Sequence, residues 1–79
     1  MSPHFATVCT EAQSALSESP LYDLRELRVE AEGDRRLAIR GMVSSFYHMQ
    51  LAQEALLALA RNRDVQVVNY VEVIDVLSN

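Results

Sequence analysis

Between Leu27 and Val43 apolar side chains return at every second position, a period that a chain satisfies as strands buried on one side. After a start at Leu24, Leu27, Val29 and Ala31 alternate with Arg28, Glu30 and Glu32. Glu32-Gly33-Asp34-Arg35 reads as a turn. Leu37, Ile39, Gly41 and Val43 then resume the alternation opposite Arg36, Ala38, Arg40 and Met42. The pattern predicts an antiparallel hairpin over 24–43, with Gly41 allowing a helix to approach closely. Residues 65–74, from Val65 to Ile74, are so rich in branched side chains that they read as a third strand.

On either side of the hairpin the period lengthens to three and four. Phe5, Val8, Cys9, Ala12 and Leu16 share one stripe of a helix over 4–18, whose first turn suits Pro3. Ser19-Pro20 ends it, since proline lacks a backbone donor, and Leu21-Tyr22-Asp23 follow as a linker. Ser44 is placed to cap a second helix over 45–61, with His48, Ala52, Ala55, Leu56 and Leu59 on its inner stripe. The alanines let this helix lie near the sheet, and Arg61 and Arg63 sit by its negative pole.

The order α-β-β-α-β predicts an α+β fold, a two-layer sandwich in which two helices pack on one face of a three-stranded mixed sheet. At 79 residues the chain supports one core, so 1–79 is read as a single domain. A right-handed crossover leaves the last strand either beside the second, parallel to it, or beside the first in a split arrangement. The split order is the expectation.

Charge and composition narrow the function classes. Net charge is −4, and all seven basic residues are arginines threaded among acids, which argues against a nucleic-acid partner. No apolar run reaches the roughly 18 residues of a membrane span, and Met1-Ser2-Pro3-His4-Phe5 lacks the features of an export signal, so a soluble, cytoplasmic chain is expected. A single cysteine, Cys9, forms no internal disulfide and fits a reducing compartment.

Three stretches carry a family likeness: Leu37-Ala38-Ile39-Arg40-Gly41-Met42-Val43-Ser44-Ser45, Gln50-Leu51-Ala52-Gln53-Glu54-Ala55 and Val67-Val68-Asn69-Tyr70-Val71-Glu72-Val73. Together they resemble the BON domain of bacteria, in which a strand ending in Gly-x-Val enters a serine-capped helix with small inner residues, followed by a strand containing Val-x-Asn. Gly41, Val43, Ala52, Ala55, Val67, Val68 and Asn69 stand at those positions, and the likeness covers about 24–74. It implies a module without a catalytic motif that binds phospholipid surfaces or holds partners at membranes. Envelope members of the family carry an export signal and paired copies, neither of which is visible here.

The chemical candidates read better as structure. Cys9 with His4 or His48 could form a thiolate pair, but its place on the Phe5–Ala12–Leu16 stripe marks it as a core thiol. Cys9, His4 and His48 lack metal-ligand spacing, so neither metal nor cofactor is expected. Ser44, Ser45 and His48 lie within a helical turn but without a nucleophile elbow, and capping accounts for the serine. Gly33 and Gly41 do not make a phosphate loop, and the Gly-x-x-Gly of an RNA-binding KH domain is missing.

A surface is the stronger candidate. If Leu27, Val29, Leu37, Ile39, Val67 and Val71 face the helices, then Arg28, Ala38, Arg40, Met42, Val68, Tyr70 and Ile74 form the opposite face, an apolar stripe with charged edges. Leu57 is a further outward apolar residue. Arg28, Arg40, Met42, Val68 and Tyr70 are the expected contacts of a protein partner or a second copy, since arginine and tyrosine dominate association energetics. The chain thus reads as a non-enzymatic interaction module working through its sheet face or edge. The alternative is a phospholipid-associating module in which Arg40 and the amides at Ser44 and Ser45 take a headgroup phosphate.

Overall fold

The computed structural model describes residues 3–61 and 63–74. Helix α1 spans Pro3–Ser17, and a single turn, α2, spans Tyr22–Arg25. Strands β1 (Arg28–Glu32) and β2 (Arg36–Arg40) form the hairpin, and β3 (Met42–Val43) continues β2. Helix α3 covers Phe46–Ala60, and β4 (Gln66–Asn69) and β5 (Glu72–Val73) complete the described chain. The α+β architecture holds, with both long helices on one face of a mixed sheet. Phe5, Val8, Ala12 and Leu16 of α1 and Ala52 and Leu56 of α3 share one buried cluster with Leu37, Ile39 and Val43 of the strands.

The first correction concerns Leu24. It lies in α2, and β1 starts only at Arg28. Leu24 and Leu27 are three residues apart, an odd spacing that no single strand face accommodates but a helical turn does. The amides of Leu24 and Arg25 donate to the Leu21 carbonyl, Leu27 donates to Leu24, and both leucines are buried.

The second correction is the strand order, β1-β2-β4, with β1 antiparallel and β4 parallel to β2. The split arrangement is not formed. From the end of α3 the chain returns directly to the free side of β2 and runs parallel to it, the arrangement for which a right-handed crossover is the rule. The far edge of β1 is meanwhile occupied by a side chain of α1. Gln13 accepts from the Val29 amide at 2.9 Å and donates to the Leu27 carbonyl at 3.1 Å, imitating a neighbouring strand.

Gly41 separates β2 from β3 with φ +137°, and a Cβ there would lie 2.7 Å from Leu27 Cδ2. The close approach it permits is thus that of the chain entering β1, not of a helix. Across this break the parallel ladder continues: the Tyr70, Glu72 and Ile74 amides donate to the carbonyls of Ile39, Gly41 and Val43. The third strand therefore follows β2 and β3 to its end, although regular pairing lapses at 70–71. The cap of α3 also differs from expectation. Ser45, not Ser44, accepts the His48 amide at 3.1 Å, because Ser44 is engaged elsewhere.

Candidate interaction surface

Alternation places Arg28, Arg40, Met42, Val68 and Tyr70 together on the sheet face turned away from the long helices. Met42, Tyr70 and Ile74 are 57%, 44% and 41% exposed, and Val68 is half-buried beside them. These apolar groups follow the β3, β4 and β5 side of the face. The β1 side is ionic. Arg40 donates from Nε to Glu30 Oε1 at 2.7 Å, and its Nη2 lies 3.6 Å from Glu32 Oε2.

The same guanidinium stacks over the Tyr70 ring, 4.4 Å from its centroid, and the Tyr70 hydroxyl donates to the Glu32 carboxylate at 3.1–3.2 Å. These contacts join Tyr70, just beyond β4, to β1 and so cross β2, where the outward residue beneath them is Ala38. This explains why Ala38, expected on the open stripe, is fully buried. Arg28 stands directly opposite Arg40 in the hairpin register, and Arg40 turns away toward Glu30. Arg28 itself is exposed and makes no ion pair among the described residues.

A second cluster, which sequence reasoning missed, lies where α2 meets the start of α3. Asp23 Oδ2 accepts the Ser44 hydroxyl at 2.7 Å, the Ser44 amide at 2.8 Å and His48 Nδ1 at 2.8 Å. A carboxylate only accepts, so His48 carries its proton on Nδ1. The Ser44 hydroxyl bond, then the Ser44 amide and the His48 contact, lower the Asp23 carboxyl from an ordinary value of 3.8 to about 2. Ser44 and His48 both address the carboxylate and not one another, so no base is aimed at a nucleophile. The donors at Ser44 foreseen for a headgroup phosphate thus already hold an anion of the chain itself, and Arg40 is held by Glu30. Tyr22, next to Asp23 in the chain, and Phe46 and Tyr47, just before His48, are each about two-thirds exposed.

The cluster sets an acid limit. Because folding lowers the Asp23 pKa, its contribution is fully present above the unfolded value and is lost as pH falls through about 2. Asp23→Asn is therefore less stable than the parent at neutral pH. The difference shrinks between about pH 4 and pH 2 and vanishes below, which denaturant titration over that range measures directly.

At the opposite end of β2 the hairpin turn forms a polar depression of about 470 Å³ lined by Gly33, Asp34, Arg35, Arg36, Asp64 and Gln66. Arg35 is bonded there to Asp64, and nearby Arg63 to Glu11. Cys9 is half-buried against the core, and burial raises its thiol pKa. His48 Nδ1 is turned to Asp23 and not to Cys9. Among the described residues no group of three potential metal ligands comes together, and no helix is long and apolar enough to cross a membrane. No family model, curated protein or solved structure matches this chain. The site is therefore read from its own geometry.

Proposed function

We propose that the chain is a non-enzymatic interaction module of BON type, which binds protein through the outer face of its sheet and the adjoining edge. The observation that carries this reading is the Arg40–Tyr70 stack beside exposed Met42 and Ile74, a rigid cation and aromatic pair next to apolar surface. Glu30 and Glu32 hold the pair in one geometry, so a partner meets it with little ordering cost. Arg28 adds an exposed charge on the same face.

The BON assignment has further support in local geometry. Gly41 and Val43 precede a serine-capped helix, Ala52 is fully buried and Ala55 half-buried on its inner stripe, and Val67, Val68 and Asn69 belong to the following strand. Asn69 is fixed there on both sides: it donates to Gln53 of α3 at 3.0 Å and accepts the Val71 amide at 2.9 Å. The phospholipid alternative has less to stand on, because Asp23 fills the Ser44 donors and acids flank the arginines.

The test is an amide spectrum of isotope-labelled protein in native cell extract, for the parent and for Arg40→Ala and Tyr70→Ala. Signals of residues on the outer face shift or broaden in the parent, and both variants weaken the response by about tenfold in the concentration of extract needed. A parent spectrum unchanged by extract and by its own concentration rejects the proposal. Sedimentation with anionic vesicles that survives both substitutions favours the lipid module instead.

A further inference from the structure

The two edges of the sheet are defended unequally. Edge strand β1 carries Arg28, Glu30 and Glu32, and Gln13 occupies part of its hydrogen-bonding row. Charge and coverage of this kind prevent one sheet from pairing with another. Among the described residues the opposite edge, β4, has neither defence along its first half. From Val65 to Val71 the sequence contains no charged residue and no proline, and four of the seven residues are valine. The parallel ladder directs the Gln66 and Tyr70 amides to β2, so the intervening Val67 and Asn69 amides point away from the sheet. Further along, the Val71 amide is satisfied by the Asn69 side chain, which limits the open row to about Val65–Asn69.

A second feature adjoins this row. Leu57 is 44% exposed on α3 and borders, with Ala60, Arg61 and Val65, a shallow groove of about 270 Å³ beside the start of β4. Its level along the strand follows from the Gln53–Asn69 hydrogen bond, because α3 runs antiparallel to β4. Leu57 is four residues beyond Gln53, about 6 Å along the helix. Val67 is two residues before Asn69, about 6.6 Å along the strand. The exposed leucine therefore stands level with Val67.

We infer that a second copy of this chain pairs with the β4 edge, antiparallel about a twofold axis at Val67, to make a continuous sheet of order β1-β2-β4-β4-β2-β1. This rests on the proposed association function and names its partner and register. Self-pairing brings each residue close to its own counterpart or near neighbour, so charges around the axis would oppose like charges. β4 has none there, whereas β1 paired on itself would set Glu30 and Glu32 against their copies. In the β4 register Val67 exchanges both hydrogen bonds with Val67 of the partner, and Val65 faces the partner's Asn69. The two Leu57 side chains meet above the axis and close both grooves.

Sedimentation equilibrium combined with amide exchange tests this on the full chain. The parent sediments at twice the chain mass at high micromolar concentration, and its Val67 and Asn69 amides become protected as concentration rises. Leu57→Glu places two like charges at the axis while altering only an exposed monomer position, and it raises the dimer dissociation constant by about tenfold or more. Val67→Pro removes an amide that makes no bond among the described residues of one copy, with the same consequence, and circular dichroism verifies that the monomer, in which Val67 also packs on the core, stays folded. A parent that stays monomeric to millimolar concentration overturns the inference while leaving association with another protein open to the extract experiment. A dimer that survives both substitutions but is lost in Arg40→Ala or Tyr70→Ala also overturns it, and assigns self-association to the sheet face.

Discussion

Gly41→Val unfolds at markedly lower denaturant than the parent, with a loss of about 3 kcal/mol or more. Two costs add. The backbone at residue 41 has φ +137°, a region that side chains with a Cβ rarely enter. The new Cβ also falls 2.7 Å from Leu27 Cδ2. Leu27 is 1% exposed and packed within the core, so it yields only by disturbing its neighbours. Gly33 provides the control. Its φ is +73°, but nothing lies within 4 Å of the Cβ position, so Gly33→Ala incurs only the left-handed penalty of about 1 kcal/mol. Urea titration of both variants separates the clash from the conformational strain. Equal losses would contradict the close contact between residue 41 and the start of β1.

Leu56→Ala costs about 3 kcal/mol, and its neighbour Leu57→Ala almost nothing. Leu56 is fully buried in the cluster that joins α3 to α1 and the strands, so truncation removes apolar contacts and leaves a cavity. In a chain of 79 residues, whose whole stability is about 4–12 kcal/mol by size, that loss is a large share. Leu57 is 44% exposed, so its stability cost in the monomer stays within about 0.5 kcal/mol. The pair isolates the orientation of α3, since adjacent helical residues differ by about 100° around the axis. Comparable losses at both positions would mean that the helix is rotated from the position described here.

Much of this fold is written in its periodicities. The α1 stripe, the β1–β2 alternation and the small inner residues of α3 each express one periodicity over several residues, and no neighbouring group competes with them. The failures arise where tertiary contacts decide. Leu24 reads as the start of a strand although its distance from Leu27 is helical, because the turn of α2 is too short to show a period of its own. The β1 edge that the split order would have used is occupied by the side chain of Gln13, a helix residue, and nothing local to Gln13 announces that role.

At the candidate site the face was legible and its fittings were not. Alternation places Arg28, Arg40, Met42, Val68 and Tyr70 together, but it does not reveal that Tyr70 reaches across Ala38 to Glu32. The Asp23 cluster joins residues 21 and 25 positions apart, and its cause is the packing of α2 against the entrance to α3. A signal did exist at the entrance to α3. Phe46 and Tyr47 fall outside the inner stripe of His48, Ala52 and Leu56, which marks them as outward aromatics beside the cap.

The most direct measurement of the account is an amide chemical-shift map of the labelled chain, recorded from low micromolar to millimolar concentration and again in native extract. Association through the sheet predicts changes confined to Arg28, Arg40, Met42, the groove at Leu57, Ala60 and Arg61, and residues 65–74, with the inward faces of α1 and α3 unaffected. A map that stays constant under every condition, or one whose changes gather on α1, would contradict it.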